Sequence, residues 1–509
     1  MKNRYGEEYL GYGGDNHERP TDYEFSGNGL LRATGEPYSG KMQEVRACYQ
    51  ELDIEIHKDK KRGLEAAVTN RNLFLGTGVF DCRAELRTGN RVLERLAIPA
   101  DVAPGRTEVF PLPFRIPEKD ESVVSLSFYL RKDTIWGKAG DEVAYGERIL
   151  NSLENEKKTL ESAPDGMRED GTSFILNGVR TLPVQTDEGK CSLEVVRGGL
   201  NTGIFGTNFS ALFSSLKGGL VSYIYGGREL IEKIPRPNFW RAPTNNDEGC
   251  RMPARCGIWK LASLYQTFIK PGSNPYIPGD DNGEPKVHQT AGYVDLTWKK
   301  YIPVPSYEAV SSVNTTYRVF PDGTIRMILD WEPDAALAKQ IPAMPEFGWI
   351  FALDADLCQV RYYGLGPEEN YCDRRKGARL GIYERESGAM AEPYLVPQET
   401  GNRTGVRWAE VTDRKGHGVR FSAPYFEDGG DPEASRPGSM EFSAIPYSPE
   451  MLETARHPYE LPRSSCTYVR CMLKQMGVAG DDSWGAQTHP EFLVKSGGRL
   501  TFAVDFRGI

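Results

Sequence analysis

The chain has 509 residues, 39% of them hydrophobic and 11% aromatic, and carries a formal net charge of −9. That hydrophobic fraction excludes a disordered chain, and the length accommodates two to four domains, each with its own core. The acidic balance argues against a nucleic-acid partner, because no basic stripe is present to displace counterions from a phosphate backbone.

Nine cysteines are scattered without CxxC spacing, which fits free thiols in a reducing compartment. Cys250 and Cys256 resemble half a metal site in spacing, but no matching Cys/His pair follows them. The opening "MKNRYGEEYLGYGGDNHERP" lacks the apolar core of a secretory signal. No run approaches the roughly eighteen apolar residues of a membrane span. A soluble, cytoplasmic chain with no membrane partner is expected.

Taken in order, the first fifty residues begin with "YGGDNHERPTDYEFSGNGLL", whose Gly, Asp, Asn and Pro content reads as a long ordered loop. In "SGKMQEVRACYQEL", Met42, Val45, Cys48 and Tyr49 recur at helical spacing, which predicts one amphipathic helix with Ser39 near its N-cap. A loop and one helix cannot bury a core, so something must pack against them.

From about Leu52 to Leu150 short alternating runs such as "LDIEIH" and "VVSLSFYLRK" stand between breaks such as "RTGN" and "APG". This predicts an immunoglobulin-like β-sandwich over 51–150. Residues 151–171, charged and sparsely apolar, read as a linker. Over 172–509 alternation continues. Ile325, Met327, Leu329 and Trp331 follow a Pro-Asp-Gly turn, and Gly218-Gly219 marks a second hairpin bend. About 330 residues of strands predict a large two-layered all-β domain.

Catalytic signatures are scarce. Walker, HExxH, GxSxG and dinucleotide fingerprints are missing; Gly364-Leu365-Gly366-Pro367 is not a GxGxxG motif, and Pro367 would deprive its loop of an amide donor. Glycosidase chemistry needs two carboxyl groups facing one bond, about 5–5.5 Å apart for retention and about 6.5–9.5 Å for inversion. Adjacent acids such as Glu368-Glu369 and Asp481-Asp482 point to opposite sides if extended, and are expected to be solvated loop charges. The six histidines are isolated from one another. Trp484, in "AGDDSWGAQTHPEF", sits on a polar loop. Such an indole can present a flat platform to a sugar's C–H face, or fold back to plug a core.

Several stretches together resemble the C-terminal half of the long bacterial β-galactosidases of glycoside hydrolase family 2. They are "NFWRAPTNNDEG" (238–249), "YYGLGPEENYCDRRKGARLGIYE" (362–384), "YLVPQETGNRTGVRW" (394–408) and "GDDSWG" (480–485), preceded by "YGGD" and "NHERPTDYEFSGNGLL". The resemblance covers essentially the whole chain. It implies that 1–50 form the last loop and helix of an incomplete TIM barrel. It makes 51–150 the family's fourth domain and 172–509 its small-chain region, a galactose-mutarotase-like β-supersandwich.

The resemblance further implies that Trp484 contacts the galactoside substrate. Phe25, through its backbone carbonyl, and Asn28, through its side-chain oxygen, would line the pocket and hold a Na+ ion; oxygen-only donation suits a hard cation. From the residues alone, Asn28-Gly29 reads as a turn. The family's nucleophile and acid/base glutamates, its Mg2+ ligands and the remaining Na+ carboxylate have no counterpart in 1–509. No catalytic residue is therefore assigned to this chain. Asn245 stands where the family usually has Asp.

The expected function is that of the C-terminal portion or small subunit of a retaining β-galactosidase. It would act on terminal β-D-galactosides such as lactose, beside a complementing catalytic polypeptide and within an oligomer. A non-catalytic carbohydrate-binding or assembly module is the alternative. An aldose epimerase is a third, for which no convergent His and carboxylate pair is evident.

Overall fold

The computed structural model describes residues 1–27, 29–59, 63–117, 121–150, 174–176, 179–181, 193–268, 283–290, 292–302, 311–336, 338–424, 426–427, 438–482 and 485–509. The expected linker at 151–171, Asn28 and Trp484 lie outside them. Strands dominate throughout, and no helix among the described residues is long and apolar enough to cross a membrane.

The predicted helix α1 runs from Ser39 to Cys48, with Tyr38 in the N-cap position and no side-chain cap bond. It is not a lone element. Glu44 accepts the backbone N–H groups of Lys376 and Gly377 at 3.1 and 2.8 Å, and the Gly40 N–H donates to Glu392 at 2.9 Å. These polar contacts hold one flank of α1 on the C-terminal region, while Tyr49 remains 81% exposed.

Seven strands follow: β1 (Leu52–Asp59), β2 (Gly63–Asn70), β3 (Phe80–Thr88), β4 (Arg91–Ile98), β5 (Thr107–Pro111), β6 (Ser122–Leu130) and β7 (Glu142–Leu150). They form a three-stranded sheet, β1-β2-β5, and a four-stranded sheet, β4-β3-β6-β7. Period-two alternation sends Leu64, Ala66 and Val68 inward from β2, and Ala84 and Leu86 from β3, into one shared core with Val124, Leu126 and Phe128.

The C-terminal region is built on two facing sheets. One has nine strands, in the spatial order Lys286–Gln289, Val294–Ile302, Ser311–Val319, Ile325–Glu332, Leu500–Gly508, Gly418–Ser422, Trp408–Thr412, Gln359–Gly366 and Arg379–Glu386. The other has five: Lys233–Asn238, Glu346–Asp354, Cys466–Gln475, Met440–Ile445 and Arg403–Val406. A further five-stranded antiparallel sheet spans Glu194–Glu229. Both predicted hairpins form, with Gly323 and Gly218 supplying positive φ at their bends (+88° and +62°).

Aromatic side chains weld the layers together. The Phe351 ring lies 5.0 and 5.5 Å from Phe421 and Phe506 of the opposite sheet, and Trp349 lies 5.9 Å from Tyr317. Trp331 packs edge-on against Trp259 at 5.4 Å and donates its indole N–H to the Ser496 carbonyl at 2.8 Å. The sandwich docks on this region through Glu121, which pairs bidentately with Arg407 (3.0 and 2.8 Å) and accepts from the Tyr363 hydroxyl at 2.7 Å.

Trp331→Ala is expected to cost about 3–5 kcal/mol, from lost burial, cavity formation and an orphaned carbonyl. Urea denaturation measures it, and an unchanged midpoint would contradict this account of the core.

Candidate functional site: three loops meeting on a short capped helix

In "RAPTNND", Thr244 and Asp247 have capping-box spacing. Helix α2 (Asn245–Gly249) starts there: Thr244 caps Asp247 N–H, and the Asp247 carboxylate accepts from Thr244 N–H at 2.8 Å. That carboxylate also takes Arg241 at 2.5 and 3.3 Å, and both residues are buried. A second Arg241 nitrogen donates to the Gly477 carbonyl at 3.2 Å, while Asn246 and Thr244 donate to the Val478 carbonyl at 3.2 and 3.4 Å. One signature thus caps a helix and clamps the root of the loop that carries Trp484.

Beyond that root, Ala479 N–H donates to Asp373 at 3.0 Å, and Gly485, at φ +122°, lies against the Gly249 carbonyl. Trp484 itself is outside the described residues, but the residues flanking it are anchored on α2 and its surroundings. The first loop arrives from the other side. A short 3-10 turn, Tyr23–Gly27, carries Phe25, which is half exposed. Asn245 donates to Glu24 at 3.2 Å and accepts from Gln398 at 2.7 Å, and Gly27 abuts Leu395. Asn245 therefore joins residues 23–27 to the loop 394–402. An Asp at this position would face the Glu24 carboxylate with a like charge and no proton to donate.

Beneath the loops the outer face of the five-stranded sheet is polar yet buried. Glu346 accepts from Asn238 and Arg470, both at 2.7 Å, and Arg470 also holds Glu399 of the 394–402 loop at 2.5 Å. Burial pushes the Glu346 carboxyl up to about 7, against the pull of Arg470. Glu441 is pushed up to about 7 by burial as well, with the Asn402 amide donating to it at 2.9 Å.

The expectation that Glu368 and Glu369 are solvated charges is corrected here. Glu369 is 1% exposed and accepts from Arg374 (2.6 Å), Thr400 and Gly401 (both 2.9 Å) and the Tyr394 hydroxyl. Burial alone would raise its pKa, but the Arg374 charge and these donors together hold it below the ordinary value. Glu368 pairs with Arg385 at 2.5 Å. Both are structural struts. The other acidic pair behaves differently: Asp481 is exposed and bonds His489 at 2.9 Å, raising that imidazole's pKa.

The residues missed by sequence reasoning are Glu24, Gln398, Arg241 and Asp247. Only Asp247 left a local signal, its capping-box spacing from Thr244. Of the two residues expected to donate to Na+, Phe25 stands at this meeting point and Asn28 is outside the described residues. No group of three or more His, Cys, Asp or Glu side chains among the described residues is placed to hold a metal ion. The eight cysteines among the described residues are free thiols.

Comparison with known proteins defines the class. Residues 205–506 match the family model described as β-galactosidase small chain, and residues 66–151 match β-galactosidase domain 4. The chain belongs to the β-galactosidase small-chain family, here joined to the sandwich that is that enzyme's domain 4. It is 35% identical to a β-galactosidase of Halalkalibacterium halodurans over 515 residues, covering 100% of this chain and 44% of that protein. It is 30% identical to a β-galactosidase small subunit of Latilactobacillus sakei, covering 59% of this chain and 93% of that subunit. A β-galactosidase of Priestia megaterium is 34% identical and is matched over 41% of its length. The chain thus spans less than half of these longer relatives. Among solved structures, a GalM/aldose epimerase homologue from C. elegans aligns at 8% identity with a TM-score of 0.31, covering 63% of this chain and 99% of that one. So loose a likeness carries no argument.

Two tests address this geometry. Arg241→Met strands the Asp247 carboxylate in the interior and is expected to cost about 3–5 kcal/mol. Hydrogen exchange should then show residues 477–482 opening ahead of the sheets; unaltered protection there would count against the clamp. Glu441 has a folded pKa raised above its unfolded value, so its contribution is complete below the unfolded pKa of about 4.5 and is lost as pH rises through about 7. Glu441→Gln should make the fall in stability between pH 5 and 7.5 shallower by up to about 1.4 kcal/mol per pH unit. Denaturation midpoints across that range decide it, an unchanged slope being the adverse result.

Proposed function

We propose that this chain is the C-terminal portion or small subunit of a retaining β-galactosidase, completing the substrate pocket of polypeptide that carries both catalytic glutamates. The observation that carries this reading is the convergence of three signature-bearing segments, 23–27, 394–402 and the described residues 478–482 and 485–489, on one capped helix. Family membership supports it along the whole chain. The reaction would be a double displacement through a galactosyl-enzyme intermediate.

Within that reaction this chain's own residues bind and orient. The Trp484 indole would give the sugar's C–H face a flat apolar surface, with its loop held by the Arg241–Asp247 clamp. Phe25 and Asn28 are proposed as oxygen donors to Na+ beside the sugar. Their donor chemistry, a backbone carbonyl and an amide oxygen, fits a hard cation. The ion would neutralise local negative charge and fix a substrate hydroxyl. Two donors do not make a complete site, so the remaining ligands would come from the catalytic polypeptide, as would those of Mg2+. A cytoplasmic oligomer containing both polypeptides is the proposed assembly.

Co-expression with a polypeptide bearing the family's barrel, followed by assay on a chromogenic galactoside, tests the reading. Activity is expected from the pair and not from this chain alone, and Trp484→Ala should lower kcat/KM by about ten- to a hundredfold. A soluble, co-purifying pair that binds galactosides without turnover would instead identify a carbohydrate-binding or assembly module.

A further inference from the structure

The outward face of the four-stranded sheet carries a second cleft, lined by none of the residues that meet on α2. Alternation that sends Ala84, Leu86, Leu126 and Phe128 into the core turns Arg83, Glu85, Ser125 and Ser127 the other way. Register sets Ser125 opposite Glu85 and Ser127 opposite Arg83. The strand Arg379–Glu386 lies over this face. Leu380 N–H donates to Glu147 at 3.0 Å, and Asn90 exchanges two hydrogen bonds with the Ile382 backbone at 2.6 and 2.7 Å. Between floor and cover is a cavity of about 630 Å³, within the range of small-molecule sites.

Its floor is hollow for a simple reason. Serine is the shortest polar side chain available, and two of them stand in a rank of long charged neighbours. Ser125 and Ser127 are 7% and 5% exposed, and both line the cavity. Both side chains face the cleft, where their hydroxyls are open to a ligand or to water. The walls come as donor–acceptor pairs: Arg95 with Glu85 at 2.7 Å, and Arg379 with Glu142. Such pairs are already neutralised, so an ionic ligand gains little from them, whereas adjacent hydroxyls can accept from the guanidinium and donate to the carboxylate at once. The Tyr129 ring, capped by Arg83 at 4.8 Å, adds an apolar edge.

We propose that this cleft binds a neutral mono- or disaccharide through the two serine hydroxyls and the flanking arginine–glutamate pairs. The site is separate from the loops on α2, and its existence does not rest on the function proposed for them.

The test titrates the full chain with galactose, glucose and lactose by calorimetry or saturation-transfer NMR. Binding with Kd of about 1–10 mM is expected, as suits a small polar ligand in an open cleft. Ser127→Phe fills the hollow and should weaken binding about tenfold or more, and Ser127→Ala, which keeps the space, by several-fold. Arg379→Lys, on the covering strand, provides a second lesion should the Phe variant fail to fold. In the Trp484→Ala background a saturable component of binding should remain, and adding Ser127→Phe should remove it. No saturable binding of any of the three sugars would overturn the proposal. So would binding lost in Trp484→Ala but kept in Ser127→Ala and Arg379→Lys, or displacement of the sugar by millimolar sulfate.

Discussion

A guanidinium removed from water needs a carboxylate and good hydrogen-bond geometry, or it unfolds its surroundings. Arg241 meets that requirement through Asp247, and the same carboxylate caps α2. Because Arg241 also holds the Gly477 carbonyl, the start of the Trp484 loop cannot move without exposing a buried charge. The loop's root is therefore set by the electrostatics of the interior, while its tip is free to be polar.

The layer beneath extends the logic. The inner face of the five-stranded sheet is aromatic and aliphatic, with Phe347, Trp349 and Phe351 in the main core. Part of its outer face carries Glu346, Glu441, Ser443 and Arg470, all buried. A face so charged is stable only when covered by groups of matching polarity, and the loops 367–374 and 394–403 provide them through Glu369, Arg374, Glu399 and Asn402. Hydrogen bonds are directional where apolar packing is not, so a polar layer fixes the loops in one register. The loop carrying Gln398 is thereby held at the height where Asn245 can reach it.

Much of the strand architecture was legible because it depends on nearest-neighbour alternation, as in β2 and β3, and on turns whose chemistry is local, such as Pro321-Asp322-Gly323. The clamp was half legible: Thr244 and Asp247 have capping spacing, but the pairing of Arg241 with Gly477 joins residues 236 positions apart. Glu369 was misread for the same reason. Its neighbours in sequence are polar and suggest solvent, and its burial is decided by Tyr394, Thr400 and Gly401, which no local pattern connects to it. The family resemblance supplied what local chemistry could not, since it recognises whole loops at once.

The first fifty residues bear on the proposed reading from the opposite direction. Their contacts with the C-terminal region are partly polar, Glu44 with the backbone at 376–377, Gly40 with Glu392 and Asn245 with Glu24, and partly aromatic, Tyr38 lying 5.1 Å from Tyr394 and Tyr12 4.6 Å from His457. Others of their large apolar groups stay outward, Tyr23, Phe25, Leu30 and Leu31 being roughly half exposed and Tyr49 81% exposed. Isolated exposed apolar residues are ordinary, but five within 27 positions, on a segment whose internal bonds are mostly turns, make a surface with little reason to face water. A helix that docks one flank through hydrogen bonds and leaves an aromatic outward is suited to lie between two bodies. In the proposed enzyme the second body is the barrel, and the same segment that completes it would carry Phe25 to the rim of the shared pocket.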